Sequence, residues 1–132
     1  MKLSTRTRGQ IAVLKVQLKA SEKELSISMP INNDLFYDIV LDNHKTKKIY
    51  RGQIKYCNRR HSNSKNLELD LQNKRSKRIH YSKSDIDLLL VYLPEKDIVL
   101  KYEQEHFHKK RRLTINLSDV TSKWYYKNFI WE

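Results

Sequence analysis

Three side chains in the stretch from Tyr37 to Lys55 have the types and spacing that phosphate chemistry requires. Asp38 precedes one apolar segment, and Gln53 and Lys55 lie near the end of a second one, beyond a polar turn at Asn43 to Lys47. Side chains alternate between the two faces of a strand, so Gln53 and Lys55 project to the same side, about 7 Å apart. A carboxylate, an amide oxygen and a lysine gathered on one sheet face can hold a divalent metal and a phosphate.

Two predicted strands position these side chains. Ile39 and Leu41 supply apolar positions in the first strand, and Ile49 and Ile54 supply them in the second. If the two strands pair in antiparallel fashion, Asp38 can lie near Gln53 and Lys55. Taken alone, Asp38 also fits an acid on a solvated strand edge. The motifs elsewhere in the chain favour the metal site.

The ordered set of motifs resembles the PD-(D/E)XK nuclease superfamily. Tyr37–Asp38 followed by Gln53–Lys55 is similar to its active-site signature, in the Gln-x-Lys variant of the homing endonucleases associated with group I introns. The segment from Arg8 to Ala12 resembles the opening helix motif of that family, and the segment from Tyr81 to Glu95 resembles its third landmark. The segment from Leu113 to Ser118 and a closing Trp-rich helix are similar to its C-terminal part. The resemblance therefore covers most of the chain.

The resemblance implies a fold and a site. The fold is an α/β (α+β) restriction-endonuclease-like core, with an N-terminal helix, a central mixed sheet and a C-terminal helix, and the length of 132 residues fits a single domain, 1–132. The implied catalytic residues are Asp38, Gln53 and Lys55. Asp38, the Gln53 amide oxygen and the Ile54 carbonyl would bind Mg²⁺, for which Mn²⁺ can substitute, and Lys55 would orient the attacking water. The implied function is cleavage of double-stranded DNA by a homo-oligomer, a dimer or a tetramer.

One position departs from the family pattern. Val13 stands where the first helix of the family carries a Glu that supports the metal, and Gln10, one turn earlier, offers only a neutral oxygen. We favour a core role for Val13 over an unusual active-site role. Its presence leaves an alternative function open, a catalytically weakened or inactive DNA-binding descendant of such a nuclease.

The charge balance favours a polyanionic partner. Lys and Arg total 27 against 15 Asp and Glu, a net charge of +12. Apolar runs fall short of the roughly 20 residues that span a bilayer, so we expect no membrane partner. The start lacks the apolar stretch of a signal peptide, and the single Cys57 suits a reducing compartment; we expect a cytoplasmic location. A basic RNA-binding protein is a third reading, which only the charge supports.

Basic residues flank one predicted strand, where hairpin ends can gather them at a sheet edge to contact DNA phosphates. The predicted DNA-binding residues are Arg59, Arg60, Lys65, Lys74, Arg75, Lys77 and Arg78. A second basic cluster runs from His108 to Arg112.

The remaining elements follow from periodicity and capping signals. Ser4 or Thr5 is expected to cap a helix that reaches about Ala20, with Ile11, Leu14 and Leu18 on its apolar stripe. Further strands are predicted at 24–29, 67–71, 87–93, 98–102 and 113–117, a helical turn at 103–107, and a final helix at 120–130.

Overall fold

The computed structural model describes residues 2–32, 34–58, 60, 66–71 and 85–132. Within these residues the chain forms two α-helices, seven strands and a short 3₁₀ turn. Their order is α1 (Thr5–Glu22), β1 (Ser26–Ser28), β2 (Ile39–Asn43), β3 (Lys48–Tyr56), β4 (Leu67–Asp70), β5 (Leu88–Leu93), β6 (Ile98–Glu103), α2 (Gln104–Phe107), β7 (Arg112–Ile115) and the 3₁₀ turn Tyr126–Phe129.

The strands form a mixed central sheet and a smaller one. The five-stranded sheet has the order β1-β2-β3-β5-β6, and β4 pairs with β7 in a two-stranded sheet. β3 and β5 are parallel, whereas every other neighbouring pair is antiparallel. A parallel pair needs a crossover connection, and β4 lies in the connection between β3 and β5. The predicted mixed sheet and N-terminal helix are confirmed.

Helix α1 begins where the sequence predicts, but it buries a different stripe. The Ser4 hydroxyl accepts a hydrogen bond from the Thr7 backbone N–H at 3.1 Å, which satisfies one amide of the first turn. The buried positions are Ala12, Val16 and Ala20. Leu14 and Leu18 are 56% and 58% exposed, so their predicted core role is wrong. Small residues four apart let the helix approach the sheet closely, and the bulkier leucines then face outward.

The central sheet separates two apolar layers. On one face, α1 packs over Ile39, Leu41, Ile54 and the β5 residues Leu88 and Leu90. On the other face, the β4–β7 sheet and the C-terminal aromatic residues cover the alternate positions of β5 and β6. Every residue of β5 is buried, as expected for a strand covered on both faces.

The predicted C-terminal helix is wrong. Within 120–130 the chain forms only the single 3₁₀ turn at Tyr126–Phe129. The Asn116 side-chain oxygen accepts hydrogen bonds from the N–H groups of Ser118 and Asp119, and Asp119 accepts one from Thr121. Such local bonds to Asn and Asp side chains compete with helix formation. The aromatic residues of this segment pack on the core, since Phe129 stacks on Tyr102 at a ring separation of 4.5 Å.

Tyr102→Phe is expected to stabilise the protein. The Tyr102 hydroxyl is buried and has no hydrogen-bond partner among the described residues, and burial raises the pKa of this phenol. A buried hydroxyl without a partner costs about 1–3 kcal/mol. We therefore expect the free energy of unfolding, measured by urea denaturation, to rise by roughly 1 kcal/mol. A variant less stable than the parent would show that the hydroxyl has a partner, such as a bound water.

Candidate active site

The hairpin of β2 and β3 carries the residues of the predicted site. The turn between the strands is fixed by the Asn43 side-chain oxygen, which accepts hydrogen bonds from the N–H groups of Lys45 and Thr46. Pairing is antiparallel, with Ile39 opposite Gly52. Just before β2, the Asp38 N–H donates a hydrogen bond to the Gly52 carbonyl at 2.8 Å. The predicted antiparallel pairing is confirmed, and Asp38 lies beside β3.

The Asp38 carboxylate contacts the middle of the predicted motif. Its Oδ2 accepts a hydrogen bond from the Ile54 backbone N–H at 2.8 Å. This bond holds the Asp38 carboxylate against Ile54, the residue between Gln53 and Lys55. At Gly52, an added Cβ would lie 3.1 Å from Ile39 Cγ2 and 3.2 Å from Leu90 Cδ1. A glycine at this position therefore lets β2 and β5 pack closely around the site.

Gln53 and Lys55 lie on the face of β3 opposite Ile54. Gln53 pairs with Leu89 of β5 and Lys55 with Val91, and these β5 residues belong to the layer beneath β4 and β7. Burial lowers the pKa of the Lys55 ammonium, while the carboxylates of Asp38 and Asp70 oppose that shift. The predicted sharing of one sheet face by Gln53 and Lys55 follows from the strand geometry, and Asp38 acts electrostatically on Lys55.

Asp70 is a residue of this region that the sequence analysis did not single out. Asp70 is the last residue of β4. This strand passes close to the end of β3, where the Cys57 thiol donates a hydrogen bond to the Glu68 carbonyl at 3.7 Å. An antiparallel bridge between Arg60 and Leu67 gives the two segments their opposite directions. The alternation of 67–71 marks Asp70 as a polar-face residue, but its approach to Lys55 depends on tertiary topology.

The oxygen donors at the site fit a hard divalent cation. Asp38 offers a carboxylate, Gln53 an amide oxygen and Ile54 a backbone carbonyl, and Mg²⁺ prefers such ligands while keeping several waters. Among the residues that the structure describes, no group of three or more His, Cys, Asp or Glu side chains could hold a metal.

Asp87 takes a structural role near the site, and Asp85 is buried close to it in the chain. The Asp87 carboxylate accepts a hydrogen bond from the Arg51 N–H, and the Asp87 N–H donates to the Arg51 carbonyl, both at 2.8 Å. These bonds join the start of β5 to β3. Asp85 is 6% exposed. Asp87 therefore supports the strand that carries Gln53 and Lys55.

Val13 is half-buried on α1. It packs against the apolar layer that contains Ile39 and Ile54. Gln53 and Lys55 project from the opposite face of β3. Packing in the core, the interpretation we favour for Val13, agrees with this position.

Of the predicted DNA-binding residues, the structure describes Arg60 alone. Its guanidinium forms an ion pair with Glu95 at 2.6 Å, and the side chain is half-exposed. The others, which are Arg59, Lys65, Lys74, Arg75, Lys77 and Arg78, lie outside the described residues. Their contact with DNA stays a prediction.

Within the described part of the chain, α1 and α2 are both too short or too polar to cross a bilayer.

Comparison with known proteins agrees with the fold described above. A model of the PD-(D/E)XK endonuclease family matches residues 3–124. The fold is similar to the solved structure of a bacterial homing endonuclease, I-Ssp6803I, with a TM-score of 0.78 over 97% of this chain and 89% of that one. Sequence identity in that match is 18%, so the likeness concerns the fold. No curated protein matches the chain.

Proposed function

Since the chain belongs to the PD-(D/E)XK endonuclease family, we propose that it is a Mg²⁺-dependent endonuclease of the homing type that hydrolyses phosphodiester bonds in duplex DNA. The fold shared with a bacterial homing endonuclease supports the homing type. The net charge of +12 suits a DNA substrate. We further propose that residues 1–132 act as one catalytic domain.

The observation that carries the proposal is the hydrogen bond from the Ile54 N–H to the Asp38 carboxylate at 2.8 Å. It joins residues 16 positions apart in the chain. The acid is thereby fixed against the Gln53–Lys55 strand, where a metal ligand is needed. A strand-edge acid pointing into solvent would make no such contact.

Each residue has a proposed role. Asp38, the Gln53 amide oxygen and the Ile54 carbonyl would hold the metal. A bound divalent cation supplies Lewis-acid polarisation of the phosphate and lowers the pKa of a bound water. Lys55 would orient the attacking water and stabilise the charge that develops on the phosphate. The burial of Lys55 strengthens this interaction, because charges attract more strongly where water is excluded.

Lys55 has to remain charged for this role. Burial lowers the pKa of its ammonium group, and the nearby Asp38 and Asp70 carboxylates raise it again. The two acids therefore help Lys55 keep its proton beside the substrate phosphate.

By analogy with the family, a chain of this size would cut both strands of a long DNA site as two or more copies. We therefore propose that the chain acts as a homo-oligomer, a dimer or a tetramer, within the cytoplasm, where its DNA substrate lies.

Nicking of supercoiled plasmid DNA tests the proposed function. The purified chain should convert supercoiled DNA to nicked or linear forms with Mg²⁺ or Mn²⁺, and EDTA should stop the reaction. The same preparation with a structured RNA should show little cleavage. An absence of cleavage with either metal, in a folded preparation that binds duplex DNA, would favour the alternative below. Preferential binding of RNA would overturn the DNA assignment.

The alternative function is a DNA-binding descendant with weakened or lost catalysis. The observation that favours it is Val13, which packs against the apolar layer where the family pattern has a Glu. With Gln53 also neutral, Asp38 is the single carboxylate in the predicted ligand set. Metal affinity without DNA should then be low, and the substrate phosphate would have to complete the coordination.

Val13→Glu is expected to destabilise the protein in metal-free buffer. Burying a carboxylate against apolar side chains is unfavourable, and the pKa of the new carboxyl should rise. We expect a lower melting temperature than in Val13→Gln, a control of similar size without the charge. The measurement is thermal unfolding with and without Mg²⁺.

The response to Mg²⁺ separates the two functions. If Mg²⁺ restores the melting temperature and increases nicking, position 13 reaches the metal, which supports a site weakened by Val13. If Mg²⁺ has no effect, Val13 is purely a core residue. A variant as stable as the parent in metal-free buffer would contradict the packing described above.

A further inference from the structure

The basic segment from His108 to Arg112 follows α2 and lies beside β4. The Leu71 N–H donates a hydrogen bond to the Arg111 carbonyl at 2.9 Å, and Asp70 lies opposite Arg112 in the β4–β7 register. Neighbouring strands lie about 4.8 Å apart. The segment therefore runs next to Asp70, whose carboxylate acts on Lys55.

The basic segment lies on the same side of the central sheet as the candidate catalytic lysine. β4 and β7 cover the face from which Gln53 and Lys55 project, whereas α1 covers the opposite face. Basic residues on the two sides should thus differ in their access to DNA bound at the site.

Among the residues that the structure describes, most cations of this segment have no acidic partner, unlike several basic residues elsewhere. Lys15 pairs with Asp97 at 2.8 Å and Lys45 with Glu24 at 2.9 Å. Arg112 pairs with Glu68 at 3.0 Å. By contrast, four neighbouring cations form no ion pair with another described residue. They are Lys109, Lys110, Arg111 and Lys123. We call these four residues the β7 basic surface.

Two members of the β7 basic surface converge on one ring. The Lys110 ammonium lies 3.8 Å from the centre of the Trp124 ring, and the Lys123 ammonium lies 5.3 Å from it. Burial and the neighbouring Lys123 charge lower the pKa of Lys110. The indole holds both ammonium groups by cation–π attraction, yet the two like charges repel. An anion between them would remove that repulsion.

We propose that the β7 basic surface binds the phosphate backbone of the duplex DNA substrate beside the cleavage site. Phosphate contact needs only positive charge and reach, and it fixes the position of a protein on the duplex without reading its sequence. The inference rests on the proposed function, because it takes duplex DNA to be the substrate. The β7 basic surface would be a second DNA contact, in addition to the predicted basic loops.

The test compares two double variants with equal charge changes. Lys109→Gln with Arg111→Gln removes two charges from the β7 basic surface. Arg6→Gln with Lys19→Gln removes two charges from α1, on the opposite face of the sheet. Affinity for a fluorescent duplex is measured by anisotropy over a range of salt concentrations in EDTA, so that cleavage does not occur. Melting temperatures check that both variants fold.

We expect the first variant to bind more weakly and to flatten the plot of log affinity against log salt by about 0.9 per lost contact, or roughly 1.8 for two. The α1 variant should keep the slope of the parent. Equal slopes in both variants, whether changed or unchanged, would overturn the inference. If the first variant loses affinity for structured RNA but not for duplex DNA, the surface serves another partner and the inference also fails.

This result is separable from the proposed function. Salt-dependent binding is measured without metal, whereas the endonuclease assignment depends on metal-dependent nicking. A parent chain that does not bind duplex DNA would overturn both. A parent chain that binds and cuts DNA while the first double variant behaves like the α1 control would overturn the inference alone.

Discussion

Asp38→Asn should reduce Mg²⁺-dependent DNA cleavage by roughly 100-fold or more, because it removes the single carboxylate from the proposed metal ligands. The amide oxygen of the introduced side chain can still accept the hydrogen bond from the Ile54 N–H, which Asp38 accepts at 2.8 Å. The local backbone should therefore stay in place. Binding to duplex DNA in EDTA should remain within a few-fold of the parent, since the residue is proposed to act in the chemical step.

The matched control for this variant is Asp42→Asn. Asp42 lies in β2, four residues after Asp38, and pairs with Ile49 rather than with the Gln53–Lys55 segment. The same loss of charge there should leave nicking close to the parent rate. Equal nicking by the Asp38 and Asp42 variants would remove Asp38 from the catalytic set.

Lys55→Met should also abolish most cleavage, again by roughly 100-fold or more, because the ammonium is proposed to orient water and to stabilise charge on the phosphate. Met keeps an unbranched apolar chain in the half-buried position. Burial lowers the pKa of Lys55, so the folded state disfavours its charged form. Such a group weakens stability at neutral pH, and this penalty fades as pH rises above its folded-state pKa. The melting temperature at neutral pH should accordingly be equal or higher.

Lys48→Met serves as the control for this second variant. Lys48 is exposed at the opposite end of β3. This control should cleave at the parent rate, whereas the Lys55 variant should not. A Lys55 variant that still cuts DNA would contradict the assignment. One that loses activity only because it unfolds would show that Lys55 is structural.

The sequence predicts the placement of Asp38 beside the Gln53–Lys55 segment because these residues are close in the chain. Asp38, Gln53 and Lys55 lie on two adjacent strands with a short turn between them, so alternation and antiparallel pairing suffice to bring them together. The family resemblance then supplied the order of the remaining elements. The mixed sheet and the N-terminal helix follow from that order.

Other features depend on tertiary packing that a pattern does not contain. The apolar stripe of α1 was predicted from its largest side chains, but close packing on the sheet selects Ala12, Val16 and Ala20 instead. A capping signal before residue 120 predicts a helix in the last segment. There the Asn116 and Asp119 side chains bind nearby backbone amides, and the rings pack onto the core.

Asp70 illustrates the same limit at the site. Asp70 is distant from Lys55 in the sequence. The two residues come close only because β4 packs across a face of the central sheet. The β7 basic surface depends on the same crossing. The local sequence pattern identifies both features as polar or charged. It does not predict which residues from elsewhere in the chain they contact.

A crystal of the chain with duplex DNA and Mn²⁺, examined by anomalous diffraction, tests the central claim most directly. The account predicts an anomalous peak bound by the Asp38 carboxylate, the Gln53 amide oxygen and the Ile54 carbonyl, with a DNA phosphate completing the coordination and the Lys55 ammonium beside it. DNA bound with no Mn²⁺ at Asp38, or Mn²⁺ held by other residues, would contradict it.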